Sequence, residues 1–315
     1  MTTMHPDMTI LTDARDAAGP KGDTAEEQRR FWTAYTAALN EPAPANMEVW
    51  DEAVPMGDHA VPVRLYRPAG LESPAPAVMY MHGGGFMLGD LDSSDAVAWG
   101  FAQQVGAVVV SVDYRLTPEH PYPAAVDDCW ATLLWMQQEA ERLGIDSLRI
   151  AVAGDSAGGN LGAVMALKAR DTGALSLCGA AIIYPGTGLD QNRPSYREFA
   201  DGPGLTTAGT VKYRDLYIPH DRDTNDPYAR PVMAKNLSNL PPFWVHSAGI
   251  DPIRDDGRVF AAKLAESGNN VTYREADGMI HGFMRARFRS ADAAHEYDLI
   301  CRFLQECLSA NTRST

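Results

Sequence analysis

Cysteine is scarce in this chain. The four present, Cys129, Cys178, Cys301 and Cys307 in 315 residues, follow neither a metal-ligand spacing nor a disulfide framework. Cys129 and Cys178 sit in apolar helix and strand patterns and are expected to be buried thiols, which suits a reducing compartment. Basic residues are also in deficit. Lys and Arg number 27 against 41 Asp and Glu, a net charge of −14. Such a balance argues against nucleic acid and anionic membrane surfaces as partners. No apolar run approaches the ~20 residues of a membrane span. The segment Met1–Asp7 has neither a basic region nor an apolar h-region, so a cytoplasmic location is expected.

The chain is long enough for one large α/β unit with a small cap. It shows no internal repeat. Strands are expected near 47–54, 61–67, 76–82, 107–113, 148–153, 178–184, 243–248 and 271–276. Helical patterns fit near 93–105, 123–143, after the 148–153 strand to about Arg170, 255–267 and 291–309. Thr24 and Glu27 form a capping box that opens a helix to about Asn40, with Phe31, Tyr35 and Leu39 on one face. This alternation predicts a mostly parallel, eight-stranded sheet flanked by helices. Residues 1–22, with His5, are expected to be partly mobile, and 186–237 to be irregular.

Three constellations carry chemistry. The first is Gly154-Asp155-Ser156-Ala157-Gly158-Gly159, directly after an apolar strand and directly before a helix pattern. That context is what a nucleophile elbow requires, with the serine on a sharp turn. Taken alone, the same residues also fit a Gly-rich turn whose serine caps a helix. The second is His82-Gly83-Gly84-Gly85-Phe86. Consecutive glycines let backbone N–H groups face a cavity, and acyl transfer needs such donors aimed at an oxyanion. The N–H groups of Gly83, Gly84 and Ala157 are expected to fill that role, with His82 holding the loop's shape. No Lys-Ser or Lys-Thr follows, so a nucleotide-binding loop does not fit.

The third is an acid and a base late in the chain. The order Ser, then Asp, then His is that of α/β-hydrolases. Asp251 ends one strand pattern and His281 follows the last, so both are expected at the carboxyl edge with Ser156. Asp255 and Asp256 are read as acids favouring a helix N-terminus, and Asp155 as pointing away from the site. His246 reads as a core histidine, His59 as a turn residue, and His220 and His295 have no motif around them.

Together these segments resemble the bacterial hormone-sensitive-lipase-like branch of the α/β-hydrolases. The resemblance is carried by His82–Phe86, Asp113–Ala125, Gly154–Asn160, Leu240–Pro242, Asp251–Asp255 and His281–Phe283, and runs from about Asn46 to the C-terminus. It implies a carboxylesterase for short- to medium-chain acyl esters, with Ser156, Asp251 and His281 as its triad and no metal or organic cofactor. It also implies a homodimer through an edge strand near 271–276. Two places depart from the family's pattern: Pro185–Asp190, and Ser94 where a histidine is common. Residues 1–45 and roughly 190–235 are expected to form the cap over a catalytic domain spanning 46–315, with Phe31, Trp32, Tyr35, Tyr213, Leu216, Tyr217 and Ile218 facing the substrate or the sheet. A small-amide hydrolase of arylformamidase type and a non-catalytic binding protein on the same fold are the alternatives.

Overall fold

The run Val108-Val109-Val110-Ser111-Val112 shows how the molecule is layered. Its residues are all buried, as expected of a strand covered on both faces. Side chains alternate across a strand: Val108, Val110 and Val112 enter one apolar cluster, while Val109 enters a second on the opposite face. In the computed structural model, which describes residues 3–218 and 225–310, this strand is β4 of an eight-stranded sheet. The strands are β1 (Met47–Met56), β2 (His59–Pro68), β3 (Ala75–Met81), β4 (Val108–Val112), β5 (Ile145–Asp155), β6 (Ala180–Ile183), β7 (Phe243–Ile250) and β8 (Val271–Ile280). Their order is β1-β2-β4-β3-β5-β6-β7-β8. β2 is antiparallel to β1 and β4, and every pairing from β4 to β8 is parallel.

Helices cover both faces: α1 (Thr9–Ala17), α2 (Ala25–Ala37), α3 (Leu91–Val105), α4 (Ala124–Gln138), α5 (Ala140–Leu143), α6 (Ala157–Thr172), α7 (Pro194–Glu198), α8 (Thr207–Tyr217), α9 (Arg254–Glu266) and α10 (Ala291–Ala310). The capping box at α2 forms as expected, with Thr24 accepting from Glu27 N while the Glu27 carboxylate accepts from Thr24 N. No described helix is long and apolar enough to cross a membrane.

Three expectations are corrected. Much of the described segment 3–22 is anchored: α1 lies there, Met8 and Leu11 are fully buried, and His5 N donates to Gly278 O at 2.9 Å. Few of its residues are apolar, so the anchoring becomes visible only once the sheet is in place. The stretch 186–237 is not simply irregular, because it holds α7 and α8. Cys178 is half-buried rather than buried. His220 lies outside the described residues.

Candidate active site

Ser156 sits between β5 and α6 with φ 56° and ψ −113°. That is a strained backbone for a residue with a Cβ, held by Ser156 N donating to Ile183 O at 2.8 Å. The glycines around it are steric requirements. A Cβ on Gly154 would lie 2.2 Å from Gly158 O, and one on Gly158 would lie 1.9 Å from Met81 O. The elbow therefore closes only with small residues at these positions.

The other two members arrive from parallel strands that end at the same edge. Asp251 follows β7 and is fully buried, with one carboxylate oxygen accepting from Ile253 N at 3.1 Å. Its second oxygen, Oδ2, lies 2.6 Å from His281 Nδ1, and His281 Nε2 lies 2.8 Å from Ser156 Oγ. The structure thus joins Ser156, His281 and Asp251 in one hydrogen-bonded line, as a nucleophile, base and orienting acid must be. His281 is 9% exposed. The Tyr184 ring packs beside its imidazole at 4.8 Å. Gly204 lies against its backbone, since a Cβ there would come within 2.7 Å of His281 O.

The glycine loop corrects one expectation. Gly83 N donates to Asp155 Oδ1 at 2.9 Å, so this N–H is already committed. Gly84, Gly85 and Ala157 line the cavity around Ser156, whereas Gly83 does not. The N–H groups of Gly84, Gly85 and Ala157 make no hydrogen bond within the described residues. Sequence alone could not choose among three adjacent glycines. The deciding feature is the acid beside Ser156, Asp155, which also accepts from Tyr80 OH at 2.7 Å. Its carboxylate points away from Ser156 and holds the loop. His82 acts as expected: fully buried, it stacks on Tyr114 at 4.4 Å, and Nδ1 lies 2.9 Å from Gly83 O. Next in the loop, Phe86 has φ 61° and stacks on Tyr217 at 3.6 Å.

Asp255 and Asp256 are more than helix-terminal acids. Asp256 is buried, and its Oδ1 accepts from Thr187 N at 2.8 Å and Leu189 N at 3.2 Å, while Tyr196 OH donates to Oδ2 at 2.6 Å. Burial pushes its carboxyl up to about 6 even though these donors oppose the shift. Asp255 accepts from Ser195 N at 3.1 Å. The two acids fasten 187–196 to α9. Their signal in the sequence was indistinguishable from ordinary helix capping, because their partners are some 60 residues away.

His246 is a core histidine as expected, fully buried, with Trp244 Nε1 donating to its Nδ1 at 3.2 Å and Glu296 Oε2 lying 3.1 Å from Nε2. Burial holds its pKa below the ordinary value.

The cavity over Ser156 has a volume of about 410 Å³. Phe31, Trp32 and Tyr35 of α2 form part of its wall, and Tyr213 and Tyr217 of α8 form another part. Of the residues expected at this cap, Ile218 also lines the cavity and Leu216 does not.

Comparison with known proteins agrees with this geometry. A family profile described as alpha/beta hydrolase fold matches residues 78–285. The chain is 45% identical over 228 residues to the carboxylesterase NlhH of Mycobacterium tuberculosis, covering 71% of each chain. It is 32% identical over 320 residues to an ethyl acetate hydrolase of Pseudomonas putida, covering 97% of this chain and all of that one. The solved structure of a thermostable esterase from Pseudomonas putida ECU1011 superposes with a TM-score of 0.91 at 29% identity, covering 98% of both chains. With its sheet order, its serine elbow and these relatives, the chain belongs to the α/β-hydrolases, in the bacterial hormone-sensitive-lipase-like branch of carboxylesterases.

Proposed function

We propose that this carboxylesterase cleaves short- to medium-chain acyl esters through an acyl-enzyme on Ser156. The observation that carries the reading is the line from Ser156 Oγ through His281 to Asp251, with links of 2.8 and 2.6 Å. His281 Nε2 takes the hydroxyl proton as Ser156 Oγ attacks the ester carbonyl carbon. Asp251 fixes the imidazole tautomer and stabilises the imidazolium. The oxyanion rests on the uncommitted N–H groups of Gly84, Gly85 and Ala157, each donor contributing about 3–4 kcal/mol to the transition state. Collapse breaks the C–O bond of the ester, and His281 gives its proton to the departing alcohol. Water, deprotonated by the same imidazole, then attacks the acyl-enzyme and releases the acid. Residues 1–45 and 190–235 act as the cap that bounds the substrate, and the cavity volume suits acyl chains of modest length.

The small-amide reading has no observation in its favour, since the named relatives are esterases. β8 lies at the sheet's edge, which supports pairing with a second copy there. The buried thiols of Cys129 and Cys301 are compatible with a reducing cytoplasm.

The test is hydrolysis of p-nitrophenyl esters from acetate to laurate by the wild type and by Ser156→Ala. Activity should peak at short or medium chains and fall by about 10⁴ or more in the variant. Comparable activity in both proteins would remove Ser156 from the mechanism.

A further inference from the structure

One arginine of the cap is bonded into the backbone of the glycine loop. The loop needs holding. Gly84, Gly85 and Phe86 take φ values of 137°, 63° and 61° in succession, and such a run, with a full side chain at its end, persists only where its surroundings fix it. Phe86 O accepts from Thr117 N at 2.8 Å and from Thr117 Oγ1 at 3.2 Å. Arg29 of α2 reaches both segments at once: its Nε donates to Met87 O at 3.0 Å and its Nη2 to Thr117 O at 2.9 Å. Glu119 accepts from the far side of the guanidinium, from Nη1 at 2.8 Å and from Nη2 at 2.6 Å. This bidentate match fixes the plane of the arginine.

The bond to Met87 O reaches further than Met87. A trans peptide is rigid, and its C=O and N–H point opposite ways. The unit that begins at Met87 O ends in Leu88 N–H, which donates to Gly84 O at 2.9 Å; Met87 N donates to the same oxygen at 3.2 Å. The unit that begins at Gly84 O ends in Gly85 N–H, one of the three uncommitted donors around Ser156. Two peptide units therefore run head to tail from the Arg29 guanidinium to the Gly85 donor. Each carbonyl that is held aims the N–H behind it, and a cation at the head of such a chain strengthens the bonds along it. The adjacent donor is built on the same pattern at shorter range: His82 Nδ1 lies 2.9 Å from Gly83 O, and that peptide ends in Gly84 N–H. Arg29, Met87, Thr117 and Glu119 do not line the cavity, so the arginine reaches a substrate only through the loop.

We infer that Arg29 is a positioning residue for ester hydrolysis: through the Met87–Leu88 and Gly84–Gly85 peptides it aims the Gly85 N–H at the oxyanion that forms when Ser156 attacks, while Glu119 sets the plane of the guanidinium. The inference rests on the esterase reading above and adds to it that α2 serves transition-state stabilisation as well as bounding the substrate. A misaimed donor costs most where the negative charge is on the oxygen, in the transition state, and little in the bound ester.

The experiment compares two ketones as reversible inhibitors of p-nitrophenyl butyrate hydrolysis. With 1,1,1-trifluoro-2-heptanone, Ser156 Oγ bonds the carbonyl carbon, the hydroxyl proton passes to His281, and the carbonyl oxygen becomes an oxyanion. With 2-heptanone the carbonyl stays neutral. Arg29→Gln should lower kcat by about tenfold to a hundredfold while KM changes by less than about twofold. It should raise Ki of the trifluoromethyl ketone by a similar factor, leave Ki of 2-heptanone within about twofold, and leave the acid limb of the pH–kcat/KM profile in place, because the His281–Asp251 pair is untouched. Arg29→Lys keeps a cation beside Glu119 but loses the fork that spans Met87 O and Thr117 O. Its kcat should fall between those of the wild type and the glutamine variant, and it carries the test if that variant does not fold. An unchanged kcat in both variants overturns the inference. Equal weakening of both ketones, or a shifted acid limb, overturns it too, since Arg29 would then shape the cavity or the triad instead. The wild type keeps the two readings apart. If it hydrolyses the ester and binds the trifluoromethyl ketone far more tightly than 2-heptanone, and both variants do the same, the Arg29 relay alone is wrong. If the wild type itself has no activity or no preference between the ketones, the esterase reading fails and the relay with it.

Discussion

The carboxyl edge of the sheet and the wall that faces it are built by different means. At the edge, three short motifs each supply one side chain of the Ser156–His281–Asp251 line, and the parallel strands β5 and β7, with the end of β8, deliver them to one point. Each motif can be read locally because its geometry is local: a strand, a sharp turn, a residue. The facing wall draws on α1, α2, α8 and the loop before α7, and its residues acquire meaning only from partners far along the chain. Asp256 with Tyr196 and Lys21 with Tyr213 are separated by 60 and 192 positions. Chemistry is thus written into contiguous sequence, while selectivity is distributed over it.

That contrast can be broken most sharply at the edge. Asp251→Asn keeps the shape but presents an N–H₂ or a neutral oxygen to His281 Nδ1, so kcat should fall by about 10⁴ with little change in KM. Steady-state kinetics on p-nitrophenyl butyrate check this. A loss below tenfold would mean the imidazole is oriented by something else.

On the wall side, the decisive residue is Asp256. Asp256→Ala strands Thr187 N, Leu189 N and Tyr196 OH, and should cost about 3–5 kcal/mol in a urea titration. Asp256→Asn should behave otherwise. Its amide oxygen accepts from both backbone N–H groups, its N–H₂ meets the Tyr196 oxygen, and no buried charge remains. Because the folded carboxyl titrates near 6, above its usual 3.8, the folded state binds this proton more tightly than the unfolded state. Its contribution to stability therefore falls as pH rises through 4 to 6. The asparagine variant should match or exceed the wild type at pH 7 and lack that slope. Equal losses in the two variants would show that the acid's charge, rather than its hydrogen bonds, holds the wall.

The scaffold carries a second buried acid whose pKa is shifted the other way. Burial would raise Glu296, but hydrogen bonds from His246 and Arg274 outweigh it and hold the carboxyl down at about 2. A depressed acid stabilises above its unfolded pKa, so this contribution, about 3 kcal/mol at most, is lost as pH falls from near 4.5 toward 2. Glu296→Gln should flatten the acid limb of the stability curve measured by circular dichroism, and an unchanged limb would count against the assignment.

Much of the scaffold was legible in advance for the same reason the edge was. All eight strands were legible, the inner parallel ones as apolar runs because buried parallel strands tolerate little polarity, and the Thr24–Glu27 box marked α2 correctly. What escaped was whatever depends on distant partners. The helix α1 buries only Leu11 and Ala14, too few apolar positions for a periodicity to stand out. The choice of donors in the glycine loop turned on Asp155: its place in the elbow points it away from Ser156, but its bond to Gly83 N, 72 positions back, could not be read from sequence.

The central claim is that Ser156 is the nucleophile that carries the acyl group, and labelling by diethyl p-nitrophenyl phosphate tests it most directly. Intact-mass measurement should show one diethylphosphoryl group per chain, peptide mapping should place it on Ser156, and activity should disappear in proportion to labelling. No adduct, or an adduct on another residue with Ser156 unmodified, would contradict the account.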